Sequence, residues 1–140
     1  MEQYYSLVKV IHSYLRWLIL LLAVITVVKY LAGWMGKKSF GSIDNRLSLF
    51  FVSALDLQLI FGLCLYFFLS PVTQSGSQFD PATVRFYSME HPMIMLVAII
   101  LAHVGRVMVK KSATNDLKFK RGTIYFGIAL LLMLSRMPWQ

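Results

Sequence analysis

The chain has 140 residues, 58% of them hydrophobic and only 14% charged, with a mean hydropathy of +0.65. So few charges would leave a soluble domain without polar cover, and several apolar runs of transmembrane length indicate an integral membrane protein in a lipid bilayer. The net charge of +8 implies no nucleic-acid partner, because the basic residues gather at the ends of apolar runs, and the one cysteine, Cys64, excludes an intramolecular disulfide and a site of paired thiolates.

Segment one covers residues 7–34, with an unbroken apolar centre at 17–28. Lys9 and Lys29 are placed to snorkel at its ends, Tyr4, Tyr5, Tyr14 and Trp17 form an aromatic belt on one side, and Tyr30 and Trp34 form one on the other. Its length, Arg16 within it and the lack of a small-x-small site read as a retained helix rather than a cleaved signal. A short basic loop at 36–46 leads to segment two, residues 47–69, which Ser70-Pro71 ends. Asp56 and Gln58 fall near its centre, where a carboxylate is costly unless paired. The stretch 70–88 reads as a polar loop, with Asp80-Pro81 as a turn or a short helix start. Segment three, residues 92–109, opens on Pro92, which is tolerated at a first helical position. That sets His91 at the helix mouth and His103 twelve residues deeper, roughly 18 Å along the axis. Segment four, residues 123–137, is the shortest, with Pro138 and Trp139 ending it at an interface.

Ten of the fourteen Lys and Arg residues lie in or beside the first and third connections, which puts those connections in the cytoplasm and both termini on the periplasmic side of a bacterial inner membrane. The expected fold is all-α: an up-down four-transmembrane-helix bundle forming one domain over residues 1–140.

In such a bundle segments one and three stand diagonally, and His12 and His91 share the outer depth. Two imidazoles facing across a four-helix core are a usual way to hold a b-type haem iron. Arg16, one turn from His12, and Arg136 are then candidates for the propionates. Interfacial anchoring of the helices explains the same residues equally well. Deeper, Asp56 and His103 fall within one helical turn of the same depth, about 5 Å. They read as a buried polar pair with Gln58 nearby: a packing device first, and otherwise a proton relay, a quinone site or an axial ligand with its supporting carboxylate. Gly62, Gly105 and Gly127 allow close helix approach, Arg106 reads as snorkelling, and Met93 is a remote alternative axial ligand. No nucleotide loop, zinc motif, nucleophile elbow or covalent haem motif is present.

The phrases Ile11-His-Ser-Tyr-Leu-Arg-Trp17, Gly33-Trp-Met-Gly-Lys-Lys38, Leu57-Gln-Leu-Ile-Phe-Gly-Leu-Cys-Leu-Tyr66, Glu90-His-Pro92 and Arg136-Met-Pro-Trp139 together resemble a family of small four-helix membrane proteins of Bacteroidetes-type bacteria labelled "cytochrome b". The resemblance spans nearly the whole chain and implies haem b with His12 and His91 as iron ligands. Where such proteins are expected to carry a histidine in the second segment this chain has Asp56, which makes His103 the candidate compensating group. The leading reading is therefore an electron-transfer subunit exchanging electrons with a quinol or a redox partner subunit, with homo- and hetero-oligomers both open. The rivals are a non-catalytic subunit or assembly factor of a larger complex and a small proton-coupled permease using Asp56 and His103.

Overall fold

The computed structural model describes residues 2–138, which leaves Trp139 outside the described residues. The described chain is helical, without strands. Its elements are α1 (Glu2–Met35), α2 (Ser42–Leu69), the single turn α3 (Pro71–Gln74), a 3₁₀ turn at Gly76–Gln78, α4 (Pro81–Lys111) and α5 (Asn115–Ser135). Three helices, α1, α2 and α4, are long and apolar enough to cross a membrane, as a helical membrane protein requires. The fourth long helix, α5, has 21 residues, but Asp116, Lys118, Lys120 and Arg121 occupy its first two turns.

The long helices form a ring: α1 packs on α2 and α5, α5 also packs on α4, and the seam between α2 and α4 is the slightest of the four. α1 and α4 are therefore diagonal. Inside the ring lie aromatic and small residues. Tyr30 is wholly buried, with Phe40, Phe119 and Phe126 at 5.6, 5.7 and 5.5 Å between ring centroids. Large aliphatic side chains such as Leu21, Val28, Ile100 and Leu131 face outward. This distribution suits lipid, where helices gain nothing by hiding leucine and associate by close packing instead.

Several sequence expectations change. The helices begin five residues earlier at α1 and α2, and α4 starts at Pro81 rather than at Pro92. The stretch 70–88 is thus largely helical, and Pro92 lies inside a helix. The chain tolerates it through a wide turn of π-type at Phe86–Glu90, where His91 N–H reaches the Phe86 carbonyl. Because Pro92 has no N–H, the Ser88 carbonyl lacks its ordinary helical donor, and the Tyr66 hydroxyl donates to it instead at 2.8 Å. A matching π-type turn at Leu65–Leu69 precedes Pro71. There Ser70 N–H goes to Leu65 O, and the Tyr66 carbonyl that it bypasses accepts from Thr73 Oγ1 and Gln74 Nε2, both at 2.7 Å.

At the opposite end Asp44 is the hub. Its buried carboxylate accepts from Lys29 Nζ at 2.7 Å and from the Gly41 N–H at 2.9 Å, while its carbonyl takes the Tyr30 hydroxyl at 2.7 Å. Lys29 and Tyr30 therefore tie α1 to α2 rather than serving as interfacial anchors. Arg106 likewise does more than snorkel: Nη1 donates to Asn45 Oδ1 at 3.2 Å and Ser48 Oγ at 3.0 Å, closing this end of the α2–α4 seam.

The glycines divide by environment. A Cβ on Gly122 would enter the Tyr30 ring, and one on Gly105 would stand 2.5 Å from Tyr125 Cβ, whereas one on Gly127 would meet nothing within 4 Å. Gly127 is therefore not a contact glycine. Gly122→Val is expected to destabilise the fold by about 1–3 kcal/mol through overpacking, while Gly127→Ala gains about 0.5–1 kcal/mol of helix propensity. Thermal unfolding of both variants in detergent tests this, and equal losses at the two positions would contradict the packing described.

Candidate functional site

At the end of the bundle away from Asp44, all four long helices converge on one cluster. α1 supplies His12 and Arg16, one turn apart; α2 supplies Gln58 and Gly62, also one turn apart; α4 supplies His91. The chain leaving α5 supplies two backbone carbonyls, those of Arg136 and Pro138.

His12 and His91 face each other with ring centroids 6.5 Å apart and ring planes at 77°. His91 is held on two sides. Phe86 stacks on it at 6.0 Å and 26°, and its Nδ1 lies 2.8 Å from the Arg136 carbonyl. A carbonyl oxygen only accepts, so the proton is on Nδ1, and in the neutral ring the lone pair is on Nε2. His12 is positioned from α2: Gln58 Nε2 donates to its backbone carbonyl at 2.8 Å, and a Cβ at Gly62 would stand 3.3 Å from His12 Cε1, so glycine makes room for the ring. Arg16 Nη1 donates to Pro138 O at 2.8 Å, and its guanidinium lies 5.2 Å from the Trp17 ring centroid.

The cluster is incompletely satisfied. His12 Nδ1, Arg16 Nε and Gln58 Oε1 are the buried side-chain polar atoms without a hydrogen-bond partner among the described residues. Each such atom ordinarily costs about 1–3 kcal/mol, so three in one place leave bonding capacity that water or a ligand could take up. Between them they offer a donor at Arg16, an acceptor at Gln58 and an imidazole nitrogen. The spacing also has a chemical meaning. An imidazole nitrogen sits about 2 Å from a metal it ligates, and with the half-width of each ring two imidazoles on opposite sides of one metal have centroids roughly 6 Å apart. A backbone carbonyl on the far nitrogen, as at His91, is the usual support of a ligating histidine. The donor set therefore fits an iron held by two histidines. Among the described residues no group of three or more His, Cys, Asp or Glu is arranged to hold a metal ion.

Arg136 is engaged through both its backbone and its side chain. Its carbonyl serves His91, while its guanidinium is turned to Glu90, with Nε 3.3 Å from Oε1. Arg85 Nε reaches Glu90 Oε2 at 3.0 Å. Glu90 is thus clamped between two arginines, and of the two candidate propionate partners Arg16 is the one with a buried donor, Nε, left open among the described residues. Gln58, expected beside Asp56, turns instead to α1. Gln58, Gly62 and Phe86 were not recognisable as site residues from the sequence; the one signal was that Gln58 and Gly62 share a helix face, opposite Asp56.

The structure brings the second pair together: His103 Nε2 lies 2.6 Å from Asp56 Oδ1. The pair is not buried. The side chains of His103 and Asp56 are 46% and 50% exposed, because they bridge the slight α2–α4 seam from its outer side.

No protein-family model, curated protein or solved structure matches this chain.

The start of α4, which carries His91, is set by Asp80. Its carboxylate accepts from the Thr83 hydroxyl at 2.6 Å and from the Thr83 N–H at 3.2 Å, and these bonds, the hydroxyl foremost, hold its pKa below the ordinary 3.8. A pKa lower in the folded than in the unfolded chain makes the cap fully stabilising above the unfolded value and progressively lost as pH falls through the folded one. The Asp80 carboxyl signal in a micellar NMR titration is expected to have its midpoint below 3.8, and Asp80→Asn should remove this contribution to acid sensitivity. A midpoint at or above the ordinary value would refute the cap.

Proposed function

We propose that the chain is a four-span inner-membrane protein, with both termini on the periplasmic side, that holds one haem b between His12 and His91 and acts as an electron-transfer subunit. The observation that carries this reading is the facing pair of imidazoles beside three buried polar atoms that lack partners. The resemblance to the small "cytochrome b" membrane proteins points the same way. In this reading α5 is the fourth span, its apolar part beginning after Arg121, and the basic connections remain in the cytoplasm.

His12 and His91 would hold the iron, each from its own helix, and the Arg136 carbonyl fixes the orientation of His91. Arg16 would supply a cation to the cofactor's carboxylates, and Gln58 and Gly62 keep His12 in place. When bound, the haem supplies a one-electron ferric–ferrous couple. The protein would hold the two imidazoles in place, and the electrons would pass to or from a quinol or a partner subunit.

The test is a reduced-minus-oxidised absorption spectrum of protein purified in detergent after expression with ample haem. Wild type is expected to give a sharp b-type alpha band at near-stoichiometric haem. His12→Ala and His91→Ala are expected to lose it while helical circular dichroism persists, and Arg16→Gln should keep the haem and lower its reduction potential. A flat wild-type spectrum, or bands untouched by either histidine change, rejects the assignment.

A further inference from the structure

The Asp56–His103 pair sits where a membrane helix rarely places polar groups. Asp56 is at the middle of α2, 14 residues from Ser42 and 13 from Leu69. His103 is eight residues from Lys111, where α4 ends, about 12 Å along the axis. With hydrocarbon about 30 Å thick, both lie deep within it, on the outside of the bundle. Their one hydrogen bond joins His103 Nε2 to Asp56 Oδ1, and His103 Nδ1 and Asp56 Oδ2 have no partner among the described residues. When the pair carries one proton in the Nε2···Oδ1 bond and a second on Nδ1, the free ring nitrogen donates and the free oxygen accepts, and lipid chains can satisfy neither.

The symmetry of a bilayer supplies what is missing. Copies of a membrane protein share one orientation, so a closed pair of them is related by a two-fold axis along the membrane normal. Seen from outside the bundle, Asp56 lies on the α2 side and His103 on the α4 side, at one depth because they are hydrogen-bonded. Rotation by 180° about an axis in front of this face sets the Asp56 of a second copy opposite His103 of the first, and the reverse. The face is therefore complementary to itself in charge and in donor–acceptor sense. We propose that the α2–α4 face is a homodimer interface in which the two Asp56–His103 pairs close into one cyclic network at mid-membrane. Ser53, exposed one turn before Asp56, brings a small side chain to the same face, which permits close approach, and Leu49, Ile60, Ile100 and Val107, all exposed, flank the polar centre above and below. The proposal rests on α2 and α4 crossing the membrane and is independent of the haem.

Subunit counting by single-molecule photobleaching of the full chain in lipid vesicles, across a range of protein-to-lipid ratios, tests it. Wild type is expected to be dimeric. Asp56→Leu with His103→Leu leaves the seam held by Arg106 and by Tyr66, so the bundle should still fold, and its dimer dissociation constant should rise by about tenfold or more, the effect of two membrane hydrogen bonds. The exchange variant Asp56→His with His103→Asp keeps the same complementarity and should recover the dimer. Ser53→Cys in a Cys64→Ser background should cross-link to a dimer on oxidation. A wild type that stays monomeric at every ratio overturns the proposal, as does a double-leucine variant that dimerises as tightly as wild type. Monomers that instead bind decylubiquinone in an Asp56-dependent way would assign the pair to a small-molecule site and overturn the dimer as well. None of these readouts needs haem, so loss of the haem assignment would leave them unchanged.

Discussion

The hydrogen bond from the Tyr66 hydroxyl to the Ser88 carbonyl answers a problem that Pro92 creates. A proline inside a helix strands the carbonyl four residues earlier, and a carbonyl left without a donor is costly wherever water is kept from it. The chain meets this twice over, first by opening the helix into a π-type turn and then by bringing a hydroxyl from the neighbouring helix. Each residue of α-helix turns the chain by about 100°, so the extra residue in the wide turn rotates everything before it relative to everything after. Arg85 thereby faces Glu90 at the rim while His91, one residue on, points into the cluster with His12. Wide turns of this kind are frequent at functional sites, and here the reason is visible: the turn that tolerates the proline also aims the histidine.

The two ends of the bundle solve the same problem differently. At the Asp44 end no buried side-chain polar atom among the described residues is left open: carboxylate goes to lysine and backbone N–H, carbonyl to tyrosine, guanidinium to asparagine and serine. At the histidine end three buried atoms are left open. A chain able to satisfy its polar groups so fully in one place, yet leaving a nitrogen, a guanidinium N–H and an amide oxygen open together in another, concentrates its unmet bonding where a ligand would be held.

Much of the architecture was legible because hydropathy reads length and the depth of a residue follows from counting. The extents of the apolar runs, the common depth of His12 and His91, and that of Asp56 and His103 all come from such counting. What counting misses is rotation about the helix axis and partners far away in sequence. Tyr30 looks like a belt residue because it lies near a helix end, and only the cleft opposite Gly122 makes it core. Asp44 looks like a loop residue because its partners, Lys29 and Tyr30, lie on the preceding helix. Pro92 looks like a helix start because the remedy for its missing N–H comes from the neighbouring helix, at Tyr66, 22 residues before Ser88. The Asp56–His103 pair looks buried because counting along the helices gives depth along the bundle axis, whereas its exposure depends on which way the two side chains face.

The carbonyls of Arg136 and Pro138 lie beyond α5, yet they brace His91 on α4 and Arg16 on α1. α1 and α4 stand diagonally across the bundle, so these two bonds let one short stretch of backbone serve both helices at once. Displacing that stretch would free the His91 ring and the Arg16 guanidinium together.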